Sequence, residues 1–221
     1  MLSIVATPIG NLEDITLRAI RTLKEADFIL AEDTRHAKIL LNKYEITTHV
    51  ISFHAHTNDA QREKFIEMLK EGKNLALISD AGTPGISDPG YVLIRDAVAE
   101  NIKIDVIPGP SAVITAVVAS GLPANRFIYL GFLPLKKGRQ TLLQSLAESE
   151  FTIVLYEAPH RIEKTLSQLL EFLGDREIAV CREMTKMFAE IFRGTTQQAI
   201  AHFKQKKPRG EFTLVIGPMN Y

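Results

Sequence analysis

The residues of this chain that could do chemistry are grouped where short apolar runs give out. The longest group, Ser79-Asp80-Ala81-Gly82-Thr83-Pro84-Gly85-Ile86-Ser87-Asp88-Pro89-Gly90, follows the apolar run Leu75 to Ile78. It holds two carboxylates among three glycines and two prolines, which is more loop than a turn requires. Where a strand empties into a glycine loop and then a helix, the loop lies outside the strand's carboxyl end and the helix offers free N–H groups, so ligands sit there. Similar polar groups end the other runs: Glu32-Asp33-Thr34-Arg35 after Phe28 to Ala31, His54-Ala55-His56 after Val50 to Ser52, and Pro108-Gly109-Pro110-Ser111 after Ile102 to Ile107. Glu157-Ala158-Pro159-His160-Arg161 follows Phe151 to Tyr156, and Arg182-Glu183-Met184-Thr185-Lys186 follows Ile178 to Cys181. Two histidines one residue apart can share a metal, but no third ligand follows at a usable spacing, so no metal site is expected. Neither Gly-x-Gly-x-x-Gly nor Gly-Lys-Ser/Thr occurs, which excludes a Rossmann fingerprint and a P-loop.

The elements that must hold these groups read as strands alternating with helices. Helical spacing appears in Leu17, Ile20 and Leu23, in Phe65, Ile66 and Leu69, and in Ile162, Leu166 and Leu169, with Asp14 and Asn58 as caps of the first two. Tyr91, Ile94, Ala97 and Val98 form another helix, capped by Asp88 with Pro89 in its first turn. Ala112 to Ala119 is a helix of small and apolar residues. Further strands are expected at Leu2 to Ala6, Phe127 to Phe132, Ile191–Phe192 and Phe212 to Ile216, and a last helix at Ala199 to Phe203. This alternation predicts an α/β protein of two domains with mostly parallel sheets, divided at Gly121-Leu122-Pro123 into 1–121 and 122–221. In such sheets all the strand-end groups fall along one edge.

Composition narrows the partners. Twenty-six Lys plus Arg balance twenty-six Asp plus Glu, so no global field draws in a polyanion. Nucleic acid must be met by local clusters, and two are present: Lys136, Lys137 and Arg139 in an expected exposed loop, and Lys204, Lys206, Lys207 and Arg209. The single cysteine, Cys181, excludes an internal disulfide and fits a reducing compartment. With no signal-peptide pattern at the start and no apolar run near 20 residues, a cytoplasmic protein is expected.

Taken together, Ala6-Thr7-Pro8-Ile9-Gly10-Asn11-Leu12-Glu13-Asp14-Ile15-Thr16, the Ser79 to Gly90 loop, Pro108-Gly109-Pro110-Ser111, Tyr156 to Arg161, Arg182 to Lys186 and Gly210-Glu211-Phe212 resemble the ribosomal RNA small-subunit methyltransferase I family. That family is a branch of the tetrapyrrole methylase superfamily, the class III methyltransferases. The resemblance implies S-adenosylmethionine (SAM) in a cleft between two α/β domains, a homodimer, and methylation of a cytidine ribose 2'-hydroxyl in the decoding centre of 16S rRNA. It carries cofactor contacts onto Pro8, Ile9, Asp80, Gly82, Thr83, Ser111, Ala112 and Tyr156. The chemistry agrees, because a sulfonium needs a carboxylate nearby and adenosine needs open backbone. A 2'-hydroxyl is a poor nucleophile that a base or cation would help, and Glu32, Asp33, Arg35, Glu183 and Lys186 are the candidates. Lys136, Lys137, Arg139, His160 and Arg161 are the candidate contacts to RNA. Family members often continue past the last strand with a helical extension, whereas this chain stops at Tyr221. Two alternatives stay open: a tetrapyrrole or diphthamide-type methylase on the same fold, and a non-catalytic RNA-binding module.

Overall fold

Near-continuous apolar runs of four to six residues belong to strands covered on both faces, since each face takes alternate side chains. The computed structural model, which describes residues 1–205 and 209–220, shows this in each of two units, 1–111 and 112–221. In the first, β1 (Leu2–Val5), β2 (Phe28–Ala31), β3 (Val50–Ser52), β4 (Leu75–Ile78) and β5 (Ile104–Ile107) form one parallel sheet in the order β3-β2-β4-β1-β5. Val5, Ile29, Ala31, Ala76 and Ile78 face α1 (Leu17–Glu25) and α2 (Thr34–Lys43), meeting Ala19, Leu23, Ala37 and Leu41. Leu2, Ile4, Leu30, Leu75 and Leu77 face the other way, onto Phe65, Ile66 and Leu69 of α3 (Asp59–Lys70) and Leu93 and Ala97 of α4 (Gly90–Ala99).

The second unit contains α5 (Ala112–Ser120), β6 (Phe127–Phe132), α6 (Arg139–Ser145), β7 (Thr152–Glu157), α7 (Ile162–Leu173), β8 (Glu177–Arg182), β9 (Glu190–Thr195), α8 (Thr196–Lys204) and β10 (Phe212–Ile216). Its sheet runs β6-β7-β10-β8-β9. Only β6 and β7 pair in parallel, and the three other pairings are antiparallel. The expectation of mostly parallel sheets therefore holds in the first unit and is corrected in the second. Helix α7 joins β7 to β8 as a parallel crossover would, but β10 inserts between them in the opposite direction. No helix separates β8 from β9, so a hairpin joins them, which only antiparallel strands permit. Val154, Ala179, Cys181 and Val215 face α5, and Ile153, Leu155, Val180 and Leu214 face α6, α7 and α8.

The division between units also moves. Val113, Ala116 and Val117 of α5 pack against Val154, Ala179 and Val215, so this helix belongs with the second sheet and the boundary falls at Ser111–Ala112, ten residues before the expected one. Among the caps, Asn58 accepts Gln61 N–H at 2.9 Å as expected, but Thr16 and not Asp14 caps α1, accepting Ala19 N–H at 3.0 Å. Asp88 accepts Gly90 N–H at 2.7 Å and Gly85 N–H at 2.8 Å, so it both starts α4 and closes the loop, with Pro89 at the cap position. Helices α2 and α6 were not expected, and α6 takes Arg139 out of the supposed basic loop.

Candidate active site

A parallel sheet delivers the carboxyl ends of all its strands to one edge, and in the first unit the loops after β1 and β4 meet there. Thr7 N–H donates to Gly82 O at 2.9 Å and Gly82 N–H to Thr7 O at 3.0 Å, a two-residue antiparallel bridge between loops. The buried Thr7 hydroxyl donates to Ser79 O at 3.1 Å. Gly82 has φ +77°, a conformation that side chains other than glycine adopt at a cost. At the end of β5, a Cβ on Gly109 would lie 2.9 Å from the Ala6 Cβ, so glycine there lets the β5 loop close on the β1 loop. Pro8 and Ile9 are buried beneath this junction, and Thr83 and Ser111 are half-buried on it.

Acidic groups gather beside the bridge. Asp80 is exposed at the end of β4, and its Oδ1 accepts Asp33 N–H at 3.1 Å. Asp33 caps α2 by accepting Arg35 N–H at 2.8 Å, and the Arg35 guanidinium returns to the same carboxyl at 2.8 and 3.1 Å. That hydrogen-bonded partner holds the Asp33 carboxyl far below the usual carboxylate range. Glu32, the first residue past β2, has no such partner among the described residues. Burial raises its pKa above the ordinary value, the charges of Asp80 and Asp88 raise it further, and His54 opposes them. The His54 Nδ1 accepts His56 N–H at 3.1 Å, which leaves Nε2 to carry the proton in the neutral ring. The two histidines thus bond through a backbone amide, and no group of three or more potential ligands occurs among the described residues.

In the second unit the remaining candidates are mostly engaged with one another. Burial would raise the pKa of Glu183, but Glu211 N–H at 2.9 Å and Lys186 Nζ at 2.9 Å outweigh it and hold the carboxylate low. Lys186 also bonds Glu211 at 3.3 Å. Tyr156 packs edge-on against Tyr129 at 5.3 Å and near Phe132 at 5.6 Å, and like Ala112 it packs against the cluster that α5 makes with the second sheet. Burial pushes its phenol well above the ordinary range, while Val113 N–H opposes. Arg139, expected on an exposed loop, is 4% exposed and is spent inside the unit, donating to Gln168 Oε1 at 2.7 Å and Thr165 Oγ1 at 2.7 Å. Arg161 pairs with Glu157 at 3.0 Å and donates to Leu133 O at 2.6 Å, so neither arginine offers its guanidinium to RNA directly. Lys136, Lys137 and His160 are exposed, as are Lys204 and Arg209. Lys206 and Lys207 lie outside the described residues.

A family model for the tetrapyrrole (corrin/porphyrin) methylases matches residues 1–200. The chain belongs to the tetrapyrrole methylase family. Within it, ribosomal RNA small subunit methyltransferase I of Thermotoga maritima is 51% identical over 215 residues, covering 97% of each chain. The protein of the same name from Bacillus subtilis is 48% identical over 221 residues, covering all of this chain and 76% of its own. These identities place the chain in the ribosomal RNA small-subunit methyltransferase I family, as its motifs suggested. Among solved structures, a uroporphyrin-III C-methyltransferase from Thermus thermophilus complexed with S-adenyl homocysteine shares the fold, with a TM-score of 0.69 at 19% identity over 99% of this chain and 97% of that one.

For this tetrapyrrole methylase, six of the eight cofactor candidates, Pro8, Ile9, Asp80, Gly82, Thr83 and Ser111, fall on one sheet edge of the first unit. Ala112 and Tyr156 fall together in the second. Glu32, Asp33 and Arg35 share the first-unit edge, and Glu183 and Lys186 share a hairpin of the second. Sequence reasoning missed the roles of Glu157 and Thr165. Glu157 stands in the Tyr156 to Arg161 motif, and its place beside an arginine four residues on was the available signal.

Proposed function

We propose that this chain transfers a methyl group from SAM to the 2'-hydroxyl of the decoding-centre cytidine of 16S rRNA in the small ribosomal subunit. The observation that carries the reading is the 51% identity, along 97% of both chains, to a ribosomal RNA small subunit methyltransferase I. The same fold in a uroporphyrin methylase shows that fold alone does not choose the acceptor.

The first-unit edge suits SAM. Three carboxylates, Asp80, Glu32 and Asp88, supply negative charge for a ligand that is cationic at sulfur and at its amino group, and the bridged Thr7 and Gly82 backbone gives a fixed wall. Pro8, Ile9, Asp80, Gly82, Thr83 and Ser111 would hold it at this edge. When bound, SAM supplies a methyl carbon made electrophilic by a positively charged sulfur. The protein's part is to orient the acceptor and to take its proton. Among the acidic candidates Asp33 is held by Arg35 and Glu183 by Lys186, whereas Glu32 is uncommitted and made more basic by its surroundings. Glu32 therefore takes the proton that the 2'-oxygen gives up as it gains the methyl group.

On α5, Val113, Ala116 and Val117 are absorbed by the second sheet, while Ile114 and Val118 face outward, Val118 at 74% exposure. This outward apolar face supports a homodimer. No helix of the described residues is long and apolar enough to cross a membrane, in keeping with a cytoplasmic enzyme that acts on ribosomes. The test is transfer of labelled methyl from SAM to unmodified small subunits, naked 16S rRNA and uroporphyrinogen in parallel, with the product nucleoside identified by mass spectrometry. The reading expects 2'-O-methylcytidine from small subunits. Methylated uroporphyrinogen with inert subunits would overturn it.

A further inference from the structure

A cluster of charged and polar side chains is buried where β7 ends and α7 begins, and the chemistry of methyl transfer makes no use of it. Glu157 is 1% exposed. Its Oε1 accepts Ala158 N–H at 2.8 Å and pairs with Arg161 Nε at 3.0 Å, and its Oε2 accepts the Thr165 hydroxyl at 2.5 Å. Thr165 Oγ1 in turn accepts Arg139 Nη2 at 2.7 Å, and Gln168 accepts Arg139 Nε. Two guanidiniums thus share one carboxylate, an arrangement that rarely adds net stability over an apolar core of the same volume. What it does supply is direction, because the hydrogen bonds left over converge on one strand exit. Arg161 Nη2 donates to Leu133 O at 2.6 Å, and Arg139 Nη1 donates to Pro134 O at 3.2 Å. These successive carbonyls lead into the turn Leu135-Lys136-Lys137-Gly138, all of it exposed. No described residue pairs with the ammonium of Lys136 or Lys137, and Phe132 and Leu135 beside them are 51% and 72% exposed.

We propose that Glu157, Arg139, Arg161 and Thr165 are positioning residues that fix the Pro134 to Gly138 turn as a preformed recognition element for a single-stranded segment of the RNA acceptor. The inference rests on the reading of RNA as acceptor given above. Charge selects this occupant: two free ammonium groups stand on a buried cluster that itself holds one positive charge in excess, so the turn favours phosphates. Phe132, tilted against Tyr156, offers an aromatic face of the kind on which unpaired bases stack. Fixing the turn beforehand spares the ordering cost that a loose loop meets on binding.

The test compares Thr165→Val, which removes the bridging hydroxyl at nearly constant shape, with Thr165→Ser, which keeps it. Steady-state methylation of small subunits gives the acceptor KM and kcat, calorimetry gives the SAM Kd, and thermal unfolding gives Tm. Thr165→Val is expected to raise the acceptor KM about tenfold, the loss of roughly one decade of preorganised binding, with kcat and the SAM Kd unmoved, and Thr165→Ser to restore KM. A lower Tm with unchanged KM would make the cluster merely structural and overturn the proposal. Should Thr165→Val not fold, Pro134→Gly on the exposed turn loosens the same element while keeping its carbonyl. It is expected to raise KM alike, and an unmoved KM there overturns the proposal as well. Wild-type protein that methylates no subunits overturns both the acceptor reading and this one, whereas active wild type with unmoved variants overturns this one alone.

Discussion

Removing the Asp80 carboxylate tests the cofactor edge most directly. Asp80 is exposed, and its one described bond within the protein is acceptance of Asp33 N–H at 3.1 Å. Losing that bond costs about 0.5–1.5 kcal/mol at most, and water can replace it, so Tm should fall by no more than a few degrees. Against a cationic ligand the same carboxylate makes a charge-assisted hydrogen bond worth about 1.5–3 kcal/mol, which is roughly a ten- to hundredfold change in affinity. Ligand affinity is therefore expected to fall ten- to hundredfold in a protein that stays folded. Asp80→Asn sharpens the test, because an amide oxygen still accepts Asp33 N–H while the charge is gone. Calorimetric titration with SAM and with S-adenosylhomocysteine then locates the charge. A carboxylate facing the sulfonium loses more for SAM, and one facing the amino group loses equally for both. Asp80→Ala and Asp80→Asn proteins that are folded and bind SAM within twofold of wild type would refute the placement of the cofactor.

Three further variants have definite expected outcomes. Glu32→Gln should abolish most methyl transfer while weakening SAM binding far less than it lowers the rate, measured by single-turnover assay and calorimetry. The same variant should raise Tm near neutral pH: an acid whose folded pKa is raised costs stability once pH exceeds its unfolded value, so the gain should vanish below about pH 4.3, where Glu32 is protonated in both states. Lys136→Ala with Lys137→Ala should weaken small-subunit binding and lower the slope of log affinity against log salt by up to about one unit per lost phosphate contact, with SAM affinity unchanged. An unaltered slope would remove the turn from the RNA interface. Val118→Asp should convert a dimer to a monomer in light scattering at micromolar concentration, and a wild-type monomer there would end the dimer reading.

The first unit was legible because its pattern is local. Each strand is a bare apolar run, each crossover but α2 is a helix with a readable face, and a parallel sheet sends every strand end to the same edge. Glu32, Asp80, Gly82 and Ser111 could thus be placed on one rim from sequence spacing. The second unit hid its order because pairing there is set by a late strand, β10, entering between two earlier ones, which no local pattern announces. The mistake over Arg139 is of a related kind. Next to Lys136 and Lys137 it reads as part of a basic surface run, and only its position as the first residue of α6, turned toward Thr165 and Gln168 from α7, buries it. Charge on a side chain does not say which way the helix carrying it will roll.

The bridge between Thr7 and Gly82 has a kinetic consequence. Each of these two amides is protected by the carbonyl of the other loop, so neither can exchange its hydrogen with solvent unless the two loops part together. Native-state hydrogen exchange should show the two amides opening with one shared free energy. A ligand that touched only the loop after β4 would then slow exchange at Thr7 by the same factor, reporting its binding from a residue it never meets.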